Sequence, residues 1–212
     1  MTGINLSANT PQQRFDGRWW WPATTTSLVG MAFFISAAVA FVPLLMFRTQ
    51  GIGLALEITA RWSFLFFLLA YSGSAMARLF GARFAELARR SRDLGLAYAS
   101  AQLVHLGLVV LIIYLSKSIG GMVFFWVGIF CTYLLALLSL PQLHNALGLR
   151  AWSTLRTVAM EYIALTFAAD FILGPLQSHG TSKYPLSYLP FAILLIGGAA
   201  LRVTANVWRH NR

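Results

Sequence analysis

Six apolar blocks, each about long enough to cross a bilayer and poor in charge, constrain this chain more than any other feature. They are Ser27–Phe47, Ile58–Leu79, Leu94–Ser116, Gly121–Leu140, Trp152–Leu173 and Leu186–Val203. The hydrocarbon core of a bilayer is about 30 Å thick, and about 20 apolar residues cross it as an α-helix. A backbone in lipid must satisfy its own hydrogen bonds, so only helices and closed barrels can span. Blocks of this length predict helices. The expected fold is an all-α integral membrane protein, with six transmembrane helices in a bundle. Composition supports this: 58% of the residues are hydrophobic and 10% charged, against about 25% charged in a soluble domain. That argues against a soluble globular protein, and no soluble domain remains once the spans are counted.

An even number of spans puts both termini on one side. That side would hold Arg14, Arg18, Arg78, Arg83, Arg89, Arg90, Arg92, Arg150, Arg156, Arg202, Arg209 and Arg212. The other would hold Arg48, Arg61, Lys117 and Lys183. Cytoplasmic loops carry the excess of Lys and Arg, so twelve against four predicts both termini in the cytoplasm. Residues 1–24 then form a polar cytoplasmic segment, 25–205 the transmembrane domain and 206–212 a cytoplasmic tail. Trp19, Trp20, Trp21 and Pro22 precede the first span as an interfacial anchor. A long polar stretch precedes that span, so no cleavable signal peptide is expected. The net charge of +10 follows from this topology and does not point to nucleic acid. The expected partners are the lipid bilayer and other membrane or membrane-associated proteins.

Between spans two and three, Phe80, Phe84 and Leu87 share one helical face, and Glu86 precedes Arg90 by four residues. This predicts a short helix lying on the membrane, or one docking a partner. Small residues let helices approach closely in lipid. Ser36, Ala37, Ala38 and Ala40 offer such contacts in span one, Gly73, Ser74 and Ala75 in span two, and Gly197, Gly198, Ala199 and Ala200 in span six. Cys131 is the only cysteine and reads as packing.

Ionisable groups at membrane depth are costly, which makes each a functional hypothesis. His105 lies near mid-bilayer in span three. Tyr98, Gln102 and His105 are spaced i, i+4, i+7, one polar stripe expected to face the bundle interior. His105 reads either as a haem ligand or proton relay, or as a histidine hydrogen-bonded to a neighbouring helix. Span five carries a second stripe, Tyr162, Thr166 and Asp170, from which the partner of His105 is expected. His144, His179 and His210 read as solvated loop or tail residues. The sequence has no Ser-His-Asp order, nucleotide motif or metal-binding pair such as H-E-x-x-H.

Several segments resemble one family. Thr59-Ala60-Arg61 and Ala77-Arg78 with Gly81 fall in and after span two, and Arg92-Asp93-Leu94-Gly95-Leu96 opens span three with His105 eleven residues beyond Leu94. Leu147-Gly148-Leu149-Arg150-Ala151-Trp152-Ser153-Thr154-Leu155 precedes span five, and Pro185-Leu186-Ser187-Tyr188 and Leu201-Arg202 flank span six. In order and spacing these resemble the ferric-reductase-like transmembrane domain, most closely the MsrQ/YedZ branch of haem-binding membrane subunits. The resemblance implies a multi-pass protein of the bacterial inner membrane, with His105 as a haem ligand.

The family pattern continues with two histidines in span five. Here Arg156 and Ala169 stand in those positions. Arginine stays protonated and has no lone pair for iron, and alanine has no donor. The expectation is a ferric-reductase-like membrane subunit with atypical or absent haem, acting with partner proteins. The alternative is a b-type haem subunit carrying electrons across the membrane to a reductase partner, a redox component of an oxidoreductase system.

Overall fold

The computed structural model describes residues 23–116, 123–140, 143, 148–174 and 185–210, and every regular element among them is helical. In chain order they are α1 (Ala23–Phe80), a 3-10 turn (Gly81–Phe84), α2 (Ala85–Arg89), α3 (Ser91–Ser116), α4 (Val123–Leu138) and α5 (Leu149–Ala168). A π-helical turn (Ala169–Leu173) continues α5, and a 3-10 turn (Pro185–Ser187) leads into α6 (Leu189–His210). The N-terminal segment to residue 22, with Trp19–Pro22, lies outside the described residues, as do Lys117, His144, His179 and Lys183.

α1 is helical over 58 residues, which would make it about 87 Å long if straight. Its contacts require it to double back. Thr25 donates to Asp93 (3.0 Å) and Ser36 to the Ala101 carbonyl (3.2 Å), in the same order along α3. Farther on, Thr59 reaches His105 (3.0 Å) and the Phe67 ring lies 5.4 Å from that of Tyr98, in reverse order. A 26-residue α3, about 39 Å long, can meet both stretches only if α1 folds into a hairpin. The turn lies between Pro43 and Gly51, where a Cβ on residue 51 would overlap the Pro43 carbonyl. The two arms of α1, Thr24–Met46 and the stretch from Gly51 onward, are therefore antiparallel and both pack on α3. Helix runs on through Gly51, ahead of the expected start of the second span at Ile58, and the glycine there permits the close approach to Pro43.

The two arms of α1, α3 and α6 are long and apolar enough to cross a membrane. Those four segments make this an all-helical protein of the membrane. The other two expected spans, Gly121–Leu140 and Trp152–Leu173, hold α4 and α5. α4 is apolar over its 16 residues, and residues 121 and 122 of the expected span lie outside the described residues. α5 carries Arg156, Glu161 and, in its π turn, Asp170, too many charges for a uniformly apolar span. Helix α6 continues to His210, so residues 206–210 of the expected tail are helical.

Ala32, Ser36 and Ala40 form the buried face of the first arm, at i, i+4 and i+8. Ala38 of the expected small set points outward. Deeper in, rings knit the helices together. Phe64 of α1 lies 5.1 Å from Phe167 and 5.0 Å from Phe171, and Phe171 lies 5.5 Å from Phe191 of α6. Aromatic pairs such as these, the first two edge-to-face, contribute about 0.5–1.5 kcal/mol each beyond area burial. The short α2 folds back on α1: Leu87 packs over Gly73 and against the aromatic core. Glu86 holds Arg90 (2.6 Å) and Arg89 on its open face.

Candidate functional site

The aromatic core leaves a cavity of about 380 Å³ between the second arm of α1, α3, α4 and the end of α5. The stripe from α3 forms one wall: Tyr98, Gln102 and His105 all line the cavity, and all three are buried. They lie on the inner face because i, i+4, i+7 spacing keeps them on one side of a helix whose other side is apolar.

His105 is oriented by α1. Its Nδ1 lies 3.0 Å from Thr59 Oγ1, and Thr59 is fully buried. The Thr59 hydroxyl has a single proton, and the carbonyls of Ala55 (2.7 Å) and Leu56 (3.1 Å) both lie within reach of it. With the hydroxyl proton given to the nearer Ala55 carbonyl, Thr59 is the acceptor of His105 Nδ1–H. In the neutral ring Nε2 then carries the lone pair. This is the arrangement by which an outer partner fixes the tautomer of a ligating histidine. The expected partner from span five is replaced by Thr59, because α3 packs most closely on α1.

Across the cavity, Tyr98 donates to Thr132 Oγ1 (3.1 Å), whose own proton goes to the Gly128 carbonyl (2.9 Å). Gln102 Oε1 is buried and finds no partner among the described residues. Leaving such an acceptor unpaired costs about 1–3 kcal/mol, so the wall favours a ligand with a donor. Thr166 lines the cavity while donating to the Tyr162 carbonyl (3.0 Å). Tyr162 itself is half-buried, lies outside the cavity wall and donates to the Phe124 carbonyl (3.2 Å). Asp170, in the π-helical turn, lines the cavity at its exposed mouth.

That mouth is charged. Glu57 and Tyr188 line it with Asp170. Arg61 ties it together, donating to Glu57 (3.3 Å) and Ser187 (2.9 Å) with its guanidinium 4.8 Å from the Tyr188 ring. Sequence reading missed Thr59, Glu57, Thr132 and Tyr188 as site residues. Only Glu57 carried a local signal, its i, i+4 spacing to Arg61.

Haem held by two axial imidazoles does not fit these residues. Among the described residues, His105 is the one imidazole on the wall, no thiol or thioether lines it, and Ala169 lines the same cavity without a donor. Arg156 lies away from this cavity and bonds Ser91 (3.3 Å). Among the described residues, no three His, Cys, Asp or Glu side chains converge as a metal site. Compared with family models, with characterised proteins and with solved structures, the chain matches none of them.

Proposed function

We propose that the chain is a ferric-reductase-like integral membrane subunit of the bacterial inner membrane, without bis-histidine haem, that acts with partner proteins. In this reading α4 and α5 complete a six-span bundle and both termini lie in the cytoplasm. The reading is carried by one observation: among the described residues the cavity offers a single imidazole, His105, and Ala169 lines the same cavity. Low-spin haem for electron transfer needs two axial ligands of suitable type. One nitrogen, a buried amide oxygen and a carboxylate rim can hold and orient a small ligand. They give no second axial ligand of that type.

The fixed tautomer favours a second reading. A ring whose Nδ1–H is already satisfied presents Nε2 as a ligand, which suits a b-type haem subunit with atypical ligation that serves a reductase partner. Absorption spectra of the purified protein, oxidised and dithionite-reduced, with haem extraction, separate the two. We expect no sharp reduced α band at one haem per chain. Such a band, abolished by His105→Ala, would refute the first reading.

A further inference from the structure

We propose that the arginine-rich end of the bundle holds a binding pocket for a phosphate group, supplied by a phospholipid headgroup or by a small free phosphate ester. The inference is independent of haem status, since it concerns the end of the bundle remote from the Arg61 mouth. There, a second cavity of about 260 Å³ opens between three helices. Each contributes one guanidinium to its wall: Arg78 from α1, Arg156 from α5 and Arg202 from α6.

A single carboxylate answers these three cations. Glu161 binds Arg202 (3.1 Å) and accepts from Tyr71 (2.7 Å), over whose ring Arg202 also sits at 4.2 Å. Arg156 has a neutral partner, the Ser91 hydroxyl. Among the described residues neither Arg78 nor Arg156 reaches a carboxylate. Three cations against one anion leave two positive charges facing one half-buried space. Their repulsion is stronger there than in water, and an anion bound between them would relieve it.

The shape of the pocket narrows the anion. A guanidinium fork matches the oxygens of phosphate, and such pairs are among the strongest hydrogen bonds. Ser74, Ser153, Thr157 and Asn206 add neutral polar groups on the wall. The volume falls just below the roughly 300 Å³ of small-molecule pockets, which suits a headgroup and not a nucleotide. Basic pockets between transmembrane helices bind anionic lipid headgroups, so the bilayer is the nearer source.

Thermal unfolding of the full chain in a phosphate-free detergent tests this, with four additions: phosphatidylglycerol, diacylglycerol of the same chains, glycerol 3-phosphate and inorganic phosphate. We expect saturable stabilisation by phosphatidylglycerol and none by diacylglycerol. Stabilisation by phosphatidylglycerol alone assigns the site to lipid, and stabilisation by glycerol 3-phosphate or phosphate assigns it to free phosphates. Arg156→Gln and Arg78→Gln should each weaken the response about ten-fold, and Arg83→Gln, outside the pocket, should not. Arg78 is exposed, so its variant keeps the test valid if Arg156→Gln does not fold. The proposal is overturned if no phosphate compound stabilises more than diacylglycerol, or if Arg83→Gln weakens the response as much as Arg78→Gln does.

Discussion

Replacing Thr59 by valine should destabilise the protein and release the tautomer of His105. Valine preserves the shape of threonine, so packing at this fully buried position is little disturbed. What is lost is the acceptor 3.0 Å from His105 Nδ1. His105 is 9% exposed, and the Leu56 carbonyl remains as its other acceptor, so the cost of a fully unpaired donor is the upper bound. An unpaired buried donor costs about 1–3 kcal/mol. The hydroxyl's own bond to the Ala55 carbonyl is a back-bond within a satisfied helix and adds little. For a chain of this size each kcal/mol moves the melting temperature by about 2–4 °C, so the fall should be no more than about 2–12 °C. Thr59→Ser keeps the hydroxyl and should lose less, near the ~0.8 kcal/mol of one buried methyl carbon. Thermal unfolding in detergent measures the melting temperatures. Nitrogen-15 NMR of the imidazoles, with His105→Ala for assignment, reads the tautomer. A wild-type ring protonated at Nε2 would refute the reasoning, as would Thr59→Ser falling as far as Thr59→Val.

Backbone geometry and topology set three further outcomes. Gly148 starts α5 at φ 73° and ψ 154°, a region open essentially to glycine, so Gly148→Ala should cost about 1–3 kcal/mol in unfolding. A Cβ on Gly128 would sit 2.8 Å from Thr166 Oγ1. Gly128→Ala should therefore destabilise by about 1–3 kcal/mol, and Thr166→Ala in the same chain should restore most of that loss in a double-mutant cycle. Reporter fusions at the C-terminus and after Lys117 should report cytoplasm and exterior respectively; a C-terminal reporter active outside would overturn the orientation.

The polar stripe of Tyr98, Gln102 and His105 was legible because helical periodicity is a local property of sequence. Its partner was not. Thr59 lies 46 residues away on another helix, and a lone hydroxyl in an apolar run carries no signal of what it will meet. Hydropathy located four long apolar segments for the same local reason. It misjudged the link between the first two, where α1 stays helical through the close approach of Pro43 and Gly51. Of the second stripe, Thr166 and Asp170 line the cavity together, while Tyr162 lies outside its wall. The pocket shared by Arg78, Arg156 and Arg202 was hidden in a topology count, since arginines that mark one side of a membrane look alike until the helices converge.

The hairpin of α1 on α3 also sets an order of events during synthesis. Thr59, Tyr98 and His105 all lie within the first 116 residues, on elements that pack on each other. The imidazole can thus be oriented before α4, α5 and α6 are added. α4 and α5 then bring Thr132, Thr166 and Asp170 to a histidine already fixed in direction. The cavity is assembled around His105, and a ligand small enough to enter early would meet the nitrogen before it meets the walls.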